Sequence, residues 1–226
     1  MLVLQSQSKA AQQFPEQFNI AVKWIQLYSD NKQVRIIAIE GLDGTGKSKL
    51  VATLSKRLHA SVEYSLHPAL RPHRALYDTM GEYEMRQFYL LGNIALMAEI
   101  QTAEHSSPIC ILDRSYATTL SYYYGARART EAEVQLPSAP IRWPPYLQPD
   151  VYIVLHCDEE ERSRRIQHRS GEITVEENHL AGSDAMRRAI DYCYRNLEGS
   201  HLIDTTHLSP EQVANAALQT INLDHL

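Results

Sequence analysis

Short apolar runs alternate with stretches in which apolar residues recur every three or four positions, and the alternation begins at Val34. Ile36-Ile37-Ala38-Ile39 is too short for a helix and reads as a buried strand, followed by Leu50, Val51, Leu54 and Leu58 at helical spacing. The same rule predicts strands over 62–64, 109–112, 151–155 and 201–203, with helices near 84–104, 116–125, 159–169, 176–197 and 210–222. Strand and helix in turn give an α/β fold with a parallel sheet. Two helix starts carry a capping side chain three residues before Gln or Glu, at Ser209-Pro210-Glu211-Gln212 and Asp158-Glu159-Glu160-Glu161. Pro137, Pro140, Pro144, Pro145 and Pro149 exclude a helix or an inner strand between the third and fourth strands, so that stretch is a loop. Upstream, Phe14, Phe18, Ala21, Val22, Ile25 and Tyr28 predict an amphipathic helix over 15–28, packed on the surface of the main domain. The chain then divides into an N-terminal helical extension, 1–33, and one domain, 34–226.

Length and charge fit this picture: 226 residues support one sizeable core, and a net charge of −5 leaves no basic footprint for a nucleic-acid backbone. No apolar run approaches the roughly 20 residues of a membrane span, so no membrane partner is expected. Met1 to Ala10 reads as neither a secretory signal nor an Arg-rich transit peptide, and an intracellular protein, mitochondrial or cytoplasmic, is expected. Cys110, Cys157 and Cys193 lie within apolar segments and read as reduced core residues. The ten histidines show no metal-ligand spacing, and no structural metal is expected.

The candidate chemistry starts at Gly41-Leu42-Asp43-Gly44-Thr45-Gly46-Lys47-Ser48, a P-loop pattern set between a strand and a helix. Glycines let successive backbone N–H groups curl around phosphates, and the helix behind them adds the positive end of its dipole. Lys47 then reaches the β and γ phosphates of ATP, and the Ser48 hydroxyl is a Mg²⁺ ligand. Asp113-Arg114 follows the third strand at the carboxyl edge of the sheet, where such folds bind ligands. Asp113 there suits Mg²⁺ and Arg114 suits a phosphate, although a surface ion pair explains the dipeptide by itself. Arg162, Arg164, Arg165 and Arg169 precede Ser170-Gly171-Glu172, which suits a lid. Glu160 with Arg164 and Glu161 with Arg165 have the spacing of ion pairs on a solvated helix face. Arg162 and Arg164 are accordingly read as structural, while Arg165 and Arg169 stay open between structure and catalysis.

Taken in order, these motifs resemble the thymidylate kinase family over roughly Val34 to Ile221. Glu40 to Ser48 is similar to that family's P-loop, and Asp113-Arg114 with Thr118-Thr119-Leu120 and Tyr122 to its substrate-phosphate motif. Pro149-Asp150 and Ile203-Asp204 agree as well. Phe88 to Asn93, Trp143-Pro144, Ser65 and Arg74 resemble the branch of mitochondrial, second-type UMP-CMP kinases. The resemblance implies a five-stranded parallel sheet flanked by helices, with transfer of the ATP γ-phosphoryl group to a pyrimidine nucleoside monophosphate. It assigns ATP to the loop Gly41 to Ser48 with Lys49, and to Arg169, Thr205 and Thr206. It brings Asp43 near the substrate sugar, Arg74 and Arg114 to its phosphate, and Phe88 or Tyr89 to a stack on its base. Asn93 and Tyr122 complete the substrate set, Ser48 and Asp113 the Mg²⁺ set, and Lys47, Asp113, Arg165 and Arg169 the catalytic set. A homodimer is left open. Tyr122 and Tyr194 also read as core residues.

The chain departs from the family in four places. Ile94 stands where an Arg usually reads the thymine edge, which points away from thymine specificity. His67-Pro68-Ala69-Leu70 replaces a Pro-Gly loop, Gly44 replaces an Arg that some members carry, and Ile173 and Val175 occupy lid positions that are basic in relatives. Two other functions remain open on these residues: a nucleotide-binding sensor with weak catalysis, and a deoxynucleoside kinase.

Overall fold

The structure, a computed structural model, describes residues 34–102, 106–137, 140, 141, 148–169, 173 and 175–221. The helix expected over 15–28, the Trp143-Pro144 block and Ser170-Gly171-Glu172 lie outside the described residues.

Five parallel strands form one sheet: β1 (Arg35–Gly41), β2 (Ser61–Tyr64), β3 (Ile109–Asp113), β4 (Val151–His156) and β5 (Ser200–Asp204), in the order β2-β3-β1-β4-β5. β1 sits centrally, and both its faces are covered. Ile36 and Ala38 pack with Cys110, Leu112, Tyr152 and Val154 on one side. Ile37 and Ile39 pack with Ile111, Ile153 and Leu155 on the other. That two-sided burial is why these strands read as unbroken apolar runs rather than alternating ones. On the first face lie α3 (Glu82–Thr102), α4 (Tyr116–Thr130) and α7 (Asp184–Arg195); on the second lie α1 (Lys47–Leu58) and α8 (Pro210–Ile221). The remaining helices are a 3₁₀ turn at Pro68–His73, α2 (Arg74–Tyr77), α5 (Glu159–Gln167) and α6 (Val175–Gly182). Ile39 pairs with Asp113 and Gly41 with Leu155, so the ends of β1, β3 and β4 meet at one rim. β1 is followed by crossovers to either side of itself, and ligands of open α/β sheets bind at such a switch point.

The helix expected over 176–197 is in fact two. After Gly182, Ser183 turns extended and its hydroxyl accepts from the Met186 N–H, starting α7 afresh. Ser209 and Gln212 form the reciprocal box that the sequence suggests. Asp158 makes no side-chain cap at α5, and the reciprocal half of the box is absent too: the Glu161 carboxylate pairs with Arg164 and Arg165, and the Asp158 N–H donates to the Thr206 hydroxyl instead. Cys110, Cys157 and Cys193 are free and buried.

Candidate active site

The loop leaving β1 turns through Gly44 and Gly46, both in the left-handed region that favours glycine. Gly46 caps α1 without any side chain, and a Cβ there would meet nothing within 4 Å, so the helix N-terminus opens on free space. Thr45 is buried and its hydroxyl donates to Leu42 O at 2.8 Å, closing the turn. Lys47 is only 7 % exposed; its ammonium donates to Leu42 O at 2.8 Å and reaches Asp43 Oδ1 at 3.4 Å. Burial and the nearby Arg114 bring its pKa down to about 8, against the pull of Asp43 and Asp113. Ser48 and Lys49 are exposed on the first turn of α1.

From the neighbouring strand comes Arg114, whose guanidinium pairs with Asp43 and lies 5.8 Å from the Tyr122 ring centroid. Burial alone would raise the Asp43 pKa; Arg114 and Lys47 outweigh it and hold the carboxyl below its usual range. Asp113 moves the other way, because desolvation there exceeds the help of Lys47 and Arg114. The Tyr122 hydroxyl is buried beside Arg114, and burial, only partly offset by that guanidinium, lifts its pKa to about 12. Asp43, Lys47, Asp113, Arg114 and Tyr122 thus converge at one mouth.

Arg114 is held at φ 68, a conformation that costs a non-glycine residue roughly 1–3 kcal/mol. A buried carboxylate on β1 compensates. Glu40, fully buried, accepts from the Ser115 N–H (2.7 Å), the Ser115 hydroxyl (2.6 Å) and the Thr118 hydroxyl (2.6 Å), which in turn lies 3.0 Å from the Tyr194 hydroxyl. Burial raises the Glu40 pKa and these donors only partly offset it. Reading the motifs alone gave Glu40 no such task. The available signal was a carboxylate ending a wholly apolar strand, since a buried carboxylate must find donors.

A second group forms around the β5–α8 turn. Arg165 donates to the Thr205 hydroxyl (3.0 Å), Thr205 O (2.7 Å) and Thr206 O (3.3 Å), and to Glu161 (2.8 Å). The Thr205 hydroxyl lies 2.9 Å from Thr45 O, tying this turn to the P-loop. Arg165 therefore faces Thr205 and Thr206 rather than the mouth with Lys47. Arg169 pairs with the buried Glu177 of α6 at 2.8 Å, and its charge helps lower the Asp43 pKa.

Arg162 corrects the expectation of a solvated helix face. It is 1 % exposed, forks onto Glu159 and donates from Nη1 to Asp43 O at 2.9 Å. Arg164 does lie on an exposed face, but with Glu161 and not Glu160.

The remaining expected substrate residues cluster along α2 and α3. Arg74 and the Tyr89 hydroxyl both reach Asp78, at 3.2 and 3.1 Å. Phe88 is buried with its ring stacked on Tyr77 at 4.1 Å, so that ring face is occupied by the protein, unlike the expected base stack. Asn93 is buried and donates to Tyr89 O and the Thr119 hydroxyl. Ile94 is a core residue that packs with Leu90 and Leu112. A cleft of about 640 Å³ between α3 and α4, lined by Arg86, Leu90, Thr119, Tyr123 and Arg127 among others, borders this group but includes no P-loop residue. Ile173, expected at a lid position, is exposed.

A central β1, a glycine-rich phosphate loop at its carboxyl end and the Asp-Arg pair on the adjacent strand define a P-loop kinase fold. A thymidylate kinase family model matches residues 39–217, and the chain belongs to that family. It is 32 % identical over 191 residues to the human protein "UMP-CMP kinase 2, mitochondrial", covering 83 % of this chain and spanning 42 % of that relative's length. Thymidylate kinase from Candida albicans superimposes with a TM-score of 0.62 at 19 % identity, over 85 % of this chain and 93 % of that one. A deoxyadenosine kinase from M. mycoides follows with a TM-score of 0.58 at 17 % identity, over 83 % and 99 %. No helix among the described residues is long and apolar enough to cross a membrane.

Proposed function

We propose that this chain transfers the γ-phosphoryl group of ATP to a pyrimidine nucleoside monophosphate. The observation that carries the reading is the convergence of Lys47, Asp113 and Arg114 beside the open N-terminus of α1. The fit to ATP rests on that opening: Gly46 faces free space at a helix end whose N–H groups favour phosphate. The fit to Mg²⁺ rests on the donor set, since the Ser48 hydroxyl and Asp113 carboxylate are oxygen ligands of the kind Mg²⁺ takes. When bound, the metal supplies charge neutralisation on the phosphates.

Lys47 exchanges its contact with Leu42 O for phosphate oxygens, and their negative charge restores the proton that burial makes labile. Arg114 holds the acceptor's phosphate, kept in place by Asp43, with the buried Tyr122 beside it on the substrate side. Asp113 orients the attacking phosphate. Thr205 and Thr206, fixed by Arg165, form the adenine side, with Arg169 as the lid cation. Residues 34–226 form the catalytic domain and 1–33 an extension. Ile94, sealed in the core, offers no donor to the O4 that thymine and uracil share, so the contact by which an Arg there would read thymine is missing. A mitochondrial location follows the name of the human relative.

Steady-state release of ADP with UMP, CMP, dUMP, dCMP and dTMP tests the proposal. Turnover with at least one pyrimidine, lost in Lys47→Ala, supports it; tight ATP binding with no turnover on any acceptor refutes it. The engagement of Arg165 away from the mouth favours one second reading, a nucleotide-binding sensor, and that same result would select it.

A further inference from the structure

We propose that Arg162 is a positioning residue: it sets the turn of the phosphate loop and, through Glu159 and Arg187, couples that turn to helix α6. This rests on the ATP site proposed above.

A fully buried guanidinium is costly unless its donors are met. Arg162 meets them in two directions. Nε and Nη2 donate to the two oxygens of Glu159 at 2.7 and 2.8 Å, and Nη1 donates to the backbone carbonyl of Asp43 at 2.9 Å. The contact is close along the stem as well. A Cβ on Gly44 would stand 2.9 Å from Arg162 O and 3.0 Å from its Cγ, so α5 lies against the loop where only glycine fits. A trans peptide is planar with its C=O and N–H opposed. Fixing Asp43 O toward α5 therefore turns the Gly44 N–H away from α5, into the loop's concave side.

Glu159 does not serve Arg162 alone. Its Oε2 lies 3.5 Å from Arg187 Nε on α7, and Arg187 donates to Leu180 O and, at 3.0 Å, to Ala181 O at the end of α6. Burial by itself would raise the Glu159 pKa, and Arg162 and Arg187 hold it below its usual range. The other side of α6 is bound by Arg169 through Glu177. Any shift of α6 on nucleotide binding thus reaches Asp43 O through Arg187, Glu159 and Arg162. A plain helix-stabilising pair would need neither the loop carbonyl nor Arg187.

The test uses the full chain, with ATP binding followed by calorimetry alongside melting temperature and turnover, in Arg162→Met, Arg162→Lys, Arg187→Met and both Met changes together. Arg162→Met should weaken ATP at least about tenfold, the factor of one charge-assisted hydrogen bond. Arg162→Lys should recover part of the loss. Arg187→Met, which removes no hydrogen bond or ion pair to the loop among the described residues, should weaken ATP about threefold, and the double variant should be no worse than Arg162→Met, the sign of a shared path. An Arg162→Met protein with a lowered melting temperature and unaltered ATP affinity overturns the proposal, as do losses that simply multiply in the double variant. If Arg162→Met does not fold, Arg187→Met and Glu159→Gln decide: unchanged ATP affinity in both overturns it. A wild-type chain that binds no ATP overturns the ATP site as well, whereas binding indifferent to Arg162 and Arg187 removes only the coupling.

Discussion

Glu40, the last buried side chain of β1, accepts both the backbone N–H and the hydroxyl of Ser115, 75 residues further along the chain. It thereby fixes the N-terminus of α4 directly behind Arg114, the residue held in a left-handed conformation. Glu40→Ala leaves those donors unmet in the interior and should cost about 3 kcal/mol or more, since each orphaned buried group costs roughly 1–3 kcal/mol. Glu40→Gln keeps an acceptor for Ser115 and should cost about 1 kcal/mol. Urea denaturation of both variants checks the order, and an Ala variant as stable as the Gln one would contradict it.

Lys47 supplies a pH dependence. In the ligand-free protein its pKa of about 8 lies below the ordinary 10.5, so between these values the unfolded chain holds a proton that the native state releases. Native stability should therefore rise with pH across that window, a penalty present below pH 8 being relieved. ATP affinity should move oppositely, falling up to about tenfold per pH unit above the pKa as the ammonium is lost. Isothermal titrations from pH 7 to 10 read this directly, and Lys47→Arg should abolish the alkaline decline.

Most of the fold was legible because it is local. β1, β3 and β4 announced themselves as nearly unbroken apolar runs, since each of these inner strands is covered on both faces, and the P-loop lies within eight consecutive residues. The contacts that brace the site join distant positions instead. Arg162 meets Asp43 across 119 residues, and the ion-pair spacings of its neighbours Arg164 and Arg165 pointed only to a solvated helix face on which it was structural. The break at Ser183 was hidden for a different reason: Ser-Asp suits a helix interior poorly but tolerably, and only the cap to Met186 shows that it begins one. Lys47, Asp43, Asp113, Arg114 and Tyr122 were named from motifs, and the structure adds that they share one mouth.

Arg165 distinguishes holding from chemistry. Arg165→Ala releases the Thr205 and Thr206 carbonyls and should weaken ATP binding several-fold. At saturating ATP, kcat should fall no more than about tenfold, against the hundredfold or larger loss expected of a group that stabilises the transferred phosphoryl. Single-turnover kinetics separate the two.

Arg114→Lys keeps the charge but loses the fork that reaches Asp43 and a phosphate together. The KM for the monophosphate should rise about tenfold while that for ATP moves little, the two being read from initial-rate matrices.

Because all five strands run in one direction, their starting ends share the rim opposite the P-loop. Ser106, exposed just ahead of β3, sits on that far rim. A fluorophore carried there on a cysteine would report unfolding of the sheet without competing with any ligand, separating loss of structure from loss of binding in every variant above.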